Sequence, residues 1–183
     1  MRLIPCFCFA VAAFSQTSLP PGLEPTWDMG VVLQEIGKDT GHLLPLLDQV
    51  TPEKWFQNGG SETYAAQLQS AKEQTRAIST EAAQLAKNPE KLSAGLQLYF
   101  RFEGLEILVG SLEDATRRYQ TPALAQQLAA RFAESGANRG RFRTYLIRLA
   151  AEREQQFEVM DQEAQRCRAM LLSTPPATTQ RKK

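Results

Sequence analysis

Glu103 and Glu106 are the side chains in this sequence best placed for chemistry. They lie one helical turn apart in a stretch that is otherwise strongly apolar. Burial in such surroundings raises a carboxyl pKa until the group can act as a general acid. A working acid needs a nucleophile or a substrate cleft beside it, and nothing nearby in the sequence supplies either. The competing reading is a polar stripe that faces arginines of the last helical region. The chain has one histidine, His42, with no glutamate three residues before it. Carboxylate-bridged di-iron bundles use Glu-x-x-His on two helices, and haem attachment uses Cys-x-x-Cys-His; both patterns are missing. On its predicted helix His42 projects opposite the apolar face, as a surface residue does. No catalytic, metal-ligating or cofactor-binding residue is therefore assigned, no cofactor is expected, and the chain reads as non-catalytic.

Two further features invite a binding role. Arg131, Arg139, Arg141, Arg143 and Arg148 form the densest basic segment. At 100° per residue, Arg139 and Arg143 flank one side of the face formed by Phe142, Leu146 and Leu149, and Arg141 and Arg148 flank the other. Arginines so placed lay their stems over apolar surface and keep their heads wet. Arg139, Arg141, Arg143 and Arg148 are also the candidate basic contact surface for an anionic partner. Cys167 falls on the apolar stripe of the far C-terminal helix, which suits a buried small hydrophobe; the alternative is an intermolecular disulfide. The aromatic run around Tyr99, Phe100 and Phe102 is the one place where a small-molecule pocket could form.

The elements that must position these residues are all helical by pattern. Met29, Leu33, Ile36, Thr40, Leu43, Leu47 and Val50 recur at three- and four-residue steps, which predicts one long helix from about Asp28 to Gln49, bent at Pro45. Gly30, Gly37 and Gly41 share one flank of it, where a close neighbouring backbone would offset their poor helix propensity. Thr51 and Pro52 open a short turn of helix that ends at Gln57-Asn58-Gly59-Gly60. Ser61 caps a second long helix with the stripe Tyr64, Leu68, Ala71, Thr75, Ile78, Ala82 and Leu85. A third, from about Pro89 to Tyr119, has two apolar faces: Leu98, Phe102, Leu105, Val109, Leu112 and Thr116, then Leu96, Phe100 and Ile107. Such a helix is expected near the middle of a bundle.

Thr121 and Pro122 open the last helical region, and Ser135, Gly136 and Gly140 mark a bend or a break in it. If continuous from Pro122 to Leu171 it would reach ~75 Å at the helical rise. It either folds back as a fifth helix or protrudes, and a protruding amphipathic end requires a second chain. The stretch VTPEKW, a Gly-Gly turn and SETYAAQLQSA resembles the opening of DinB-type four-helix bundles, over about 25 residues. The resemblance implies a bundle. Members of that family hold a metal with three histidines, and the corresponding helix here has none.

The N-terminus carries an address. Arg2 precedes an apolar run from Leu3 to Phe14, and small residues at Ala13 and Ser15 fit cleavage before Gln16. Twelve apolar residues span only ~18 Å as a helix, too short for a bilayer core of about 30 Å. Residues 1–15 are read as a signal peptide, which makes the mature chain periplasmic or secreted and removes Cys6 and Cys8. Cleavage also removes Arg2, so basic and acidic side chains become equal in number. That balance excludes the usual nucleic-acid binder. The charges are nevertheless segregated: residues 16–130 hold 9 basic and 14 acidic side chains, residues 131–183 hold 11 and 6.

The sequence thus predicts an all-α protein, an antiparallel up-down four-helix bundle with an extended, bent or split C-terminal helix. Residues 16–26 form an extended leader, 27–172 the bundle domain and 173–183 a disordered tail. The expected partner is a second copy or another protein engaged through the C-terminal helix, with neither nucleic acid nor a stable membrane span.

Overall fold

A computed structural model describes residues 26–173 of the chain. The segments read from the sequence as a signal peptide and a leader lie outside the described residues up to residue 25, as does the predicted tail beyond Ser173. The described chain forms six α-helices: α1 (Thr26–Gly41), α2 (Leu44–Leu47), α3 (Thr63–Leu85), α4 (Leu92–Tyr119), α5 (Pro122–Glu134) and α6 (Gly136–Ser173). Four long units run up, down, up and down: α1, α3, α4 and the α5–α6 pair. α1 packs on α3 and α6, and α4 packs on α3, α5 and the first part of α6. Among the described residues there is no strand, and no helix is long and apolar enough to cross a membrane.

The core is the set of stripes read from the sequence. Met29, Leu33 and Ile36 of α1 meet Ala71, Ile78 and Ala82 of α3, Leu98, Leu105 and Leu112 of α4, and Phe142 and Leu149 of α6; all are fully buried. The glycine flank of α1 rests on α3. A Cβ added at Gly37 would lie 3.1 Å from the Ser79 carbonyl oxygen, and one at Gly30 would lie 3.0 Å from that of Ala86. Ser79 Oγ uses the close approach to donate to the Gly37 carbonyl at 2.8 Å. The two backbones are near enough that a larger side chain at Gly37 has nowhere to go.

The first helix is shorter than the pattern predicts. α1 stops at Gly41, and a turn at residues 42 and 43 precedes the four residues of α2. Pro45 accounts for the interruption. It has no N–H to give to the Gly41 carbonyl, and its ring would strike that carbonyl in a continuous helix. Leu43 and Leu47 are buried all the same, so the stripe survives the break. The third predicted helix begins at Leu92 rather than at Pro89.

Beyond α2, two 3-10 turns, Pro52–Lys54 and Phe56–Asn58, end at Gly59, whose φ of 81° suits a residue without a Cβ. They deliver Trp55 to one end of the bundle, where its ring stacks on Tyr119 (centroids 6.1 Å) and meets Tyr64 edge-on (5.6 Å). Thr51 does not cap its turn with its side chain. Its N–H instead donates to Gln120 Oε1 at 3.1 Å, while Gln120 Nε2 donates to the Gln49 carbonyl at 2.8 Å. One amide therefore ties the loop to the end of α4. Thr121 does cap: its hydroxyl accepts from the Leu124 N–H at 3.3 Å, and Pro122 takes the first turn of α5.

The last region bends but is not interrupted by a loop. Only Ser135 separates α5 from α6, and its side chain donates to the Phe132 carbonyl at 3.2 Å. The close contact of α1 with α3 gives a paired test. Gly37→Leu should lower the unfolding free energy by about 2 kcal/mol or more, because a backbone must move. Gly110→Ala, which meets nothing within 4 Å, should raise it by about 0.5–1 kcal/mol through helix propensity. Urea melts of both variants followed by circular dichroism check the pair.

Candidate functional site

The two glutamates of α4 are exposed, and Glu106 alone makes a contact with α6. Glu106 Oε2 lies 3.1 Å from Arg139 Nη1, and the Arg139 guanidinium also covers the Phe132 ring, with its carbon 4.2 Å from the centroid. This is the arginine pairing inferred for Glu106. Glu103 has a different neighbour one turn back, the Tyr99 hydroxyl. The proximity of Glu103 raises the Tyr99 pKa above its ordinary value, burial adds to the rise, and the charge of Arg143 opposes it. Both glutamates are exposed, so the dry surroundings that would make either one a general acid are missing.

His42 is exposed in the turn before α2. Among the described residues, no group of three or more His, Cys, Asp or Glu side chains is arranged to hold a metal ion. Of the aromatic residues of α4, Tyr99 and Phe100 meet edge-on with ring centroids 5.8 Å apart, and Phe102 points away from them. Phe102 is sunk in the core, Phe100 is 66% exposed, and Tyr99 lies between them at the α6 side. They do not converge on one cavity.

The basic segment divides as its spacing predicts. Arg139 is drawn into the groove between α4 and α6, and Arg143 lies on the same side near Tyr99. Arg141 and Arg148 line an open depression on the other side, with Gly140 and Thr144. The four arginines do not form one patch.

Two apolar surfaces are left uncovered. The second apolar face of α4 is one: Leu96 is 38% exposed, Phe100 66% and Ile107 74%. The helix is not central as its composition suggests. In a four-membered ring each helix has two neighbours, and among the described residues no fifth element lies against this side. The other surface is the end of α6. Leu149 is fully buried, yet every residue from 151 to 172 is exposed. Arg153 makes an ion pair at 3.1 Å with Glu90 in the α3–α4 connection, just as α6 leaves the bundle. From residue 151 to 172 the helix continues as an arm of about 33 Å at the helical rise.

The arm carries apolar side chains in register. Phe157, Met160, Ala164, Cys167 and Leu171 follow one another at steps of 3, 4, 3 and 4 residues, the spacing of a coiled-coil seam. They continue the stripe of Phe142, Leu146 and Leu149 that is buried lower down the same helix. Cys167 is exposed and not in a disulfide, against the reading of it as a buried hydrophobe; the physical reason is that the arm has left the bundle before reaching it. The heptad spacing was available in the sequence, but where the bundle would end was not.

The Arg139 contact makes a graded prediction. Glu106→Gln should cost less than about 1 kcal/mol, since the pair is half open to water. Arg139→Ala should cost more, about 1–2 kcal/mol, because the ring contact and the packed stem go with the charge. Thermal melts of both variants decide the order. No family model matches this chain, and no curated protein and no solved structure matches it either.

Proposed function

We propose that this protein is an exported, non-catalytic helical bundle that works by association through the arm of α6, as a scaffold, adaptor or chaperone-like component. One observation carries the reading: residues 151–172 are helical and exposed throughout while presenting Phe157, Met160 and Leu171, which are 72%, 69% and 77% exposed. A helix in a protein draws most of its stability from packing its apolar face. A contiguous apolar strip on a projecting helix is the kind of surface that a partner covers. The absence of a cleft around Glu103 and Glu106 argues in the same direction. Export rests on the charged start, the short apolar run and the small residues before Gln16.

Phe157→Glu combined with Met160→Glu tests the association. Both positions are exposed, so the bundle should keep its melting temperature. A photo-crosslinker at position 164 should give adducts in cells that make the unmutated arm, and these should vanish in the double variant. Equal adducts from both, or none from either, would remove the proposal. Export has a separate check: the mature protein recovered from outside the cytoplasm should begin at Gln16 on N-terminal sequencing, and an intact Met1 would refute the address.

A further inference from the structure

The arm is polarised along its length. Residues 151–163 hold Glu152, Glu154, Glu158, Asp161 and Glu163 against Arg153 alone, whereas residues 164–172 hold Arg166 and Arg168 and no acid. The basic end is extended in the sequence by Arg181, Lys182 and Lys183. A surface that is acidic near the bundle and basic near the tip is complementary to itself when reversed. Laid parallel, two such arms would set acid against acid and base against base.

Sterics select the same orientation. The seam of Phe157, Met160, Ala164, Cys167 and Leu171 shares a face of α6 with Phe142, Leu146 and Leu149, which are buried where α6 packs on α1 and α4. A parallel partner continuing along that face would have to run through the volume these helices fill. An antiparallel partner meets only the arm, and each bundle then stands beyond the tip of the other copy's arm.

We infer that the occupant of the arm is a second copy of this chain, packed antiparallel through the seam in an isologous two-fold dimer. This rests on the association proposed above and names its partner. In an antiparallel coiled coil, a positions pack against d positions and the flanking e positions face each other. With Phe157, Ala164 and Leu171 at a, and Met160 and Cys167 at d, Asp161 and Arg168 fall at e. One register places Asp161 beside the second copy's Arg168, twice by symmetry. It stacks Ala164 on the second copy's Cys167 and Met160 on its Leu171. No like-charged pair then faces across the flanks between residues 157 and 171. The small residues meet at the two-fold axis, where the helices come closest.

The full-length chain serves for the test. Light scattering on the purified protein should give twice the chain mass at micromolar concentration. Asp161→Arg should raise the dissociation constant by about tenfold or more, through like-charge contact with Arg168, and Asp161→Arg with Arg168→Asp should restore it. Mild oxidation should link the chains of Ala164→Cys, whose new thiol faces Cys167, and should leave the unmutated chain unlinked. Efficient linking of the unmutated chain through Cys167 would overturn the antiparallel register. A chain that stays monomeric yet gives a cellular adduct of some other mass from position 164 overturns the second copy while leaving the association intact. A monomer with no adduct sinks both.

Discussion

Helices in a bundle cover one another only over the length they share. α1, α3 and α4 contain 16, 23 and 28 residues, and α6 alone contains 38, after the 13 of α5. The first part of α6 is held as core helices are: Phe142 and Leu149 reach the interior, Arg139 bridges to Glu106, and Asn138 donates to Glu35 of α1 at 2.9 Å. Past Arg153 the three companions have run out, and the same helical face continues with the same residue spacing into water. The position where burial stops is set by the connection between α3 and α4, because that is where the opposing wall ends.

At the other end of the molecule the constraint is reversed. There the loop from residue 48 to 62 is long enough to close the bundle, and Trp55 is driven in to do so. Its ring fills the space between Tyr64 and Tyr119, and Gln120 secures the loop backbone on both sides of Val50. The bundle is thus sealed at the end where α1 and α4 finish and left open to extension at the end where α6 departs. Among the described residues, the only helix that projects beyond the bundle does so on the arm side.

Much of this fold was legible in residue spacing. The three- and four-step stripes identified the core faces of α1, α3, α4 and α6, and the shared flank of Gly30, Gly37 and Gly41 announced the close approach that α3 makes. Thr121 with Pro122 marked the start of α5, and Ser135 with Gly136 marked its bend. Spacing misled in two places, each for an identifiable cause. At Pro45 the apolar stripe carried on through a backbone that could not, because burial of Leu43 and Leu47 needs only a returning chain and not a continuous helix. On α4 the row of Leu96, Phe100 and Ile107 had the periodicity of a buried face but, among the described residues, no helix to bury it. Periodicity reports which side chains share a face, whereas the number of faces covered depends on how many helices the chain can bring. The glutamate–arginine contact was legible for Glu106 but not for Glu103, whose partner Tyr99 stands one turn away on the same helix.

The two uncovered apolar strips differ in what exposure does to them. The strip on α4 belongs to a helix whose opposite face, from Leu98 to Leu112, is anchored in the core, so α4 stays helical whether or not Phe100 and Ile107 are wet. Exposed apolar side chains on an anchored helix are ordinary on protein surfaces. The arm has no anchored face. Its backbone order must come from intrinsic propensity, from i,i+4 pairs such as Gln156 with Glu152, and from whatever meets its seam. These local terms amount to tenths of a kcal/mol each, small against the entropy of holding 22 residues in one conformation. Covering the seam therefore acts on the arm's folding and on its binding at once. Under the proposed association, the arm's order and its binding would form a single equilibrium, in a way that has no counterpart on α4.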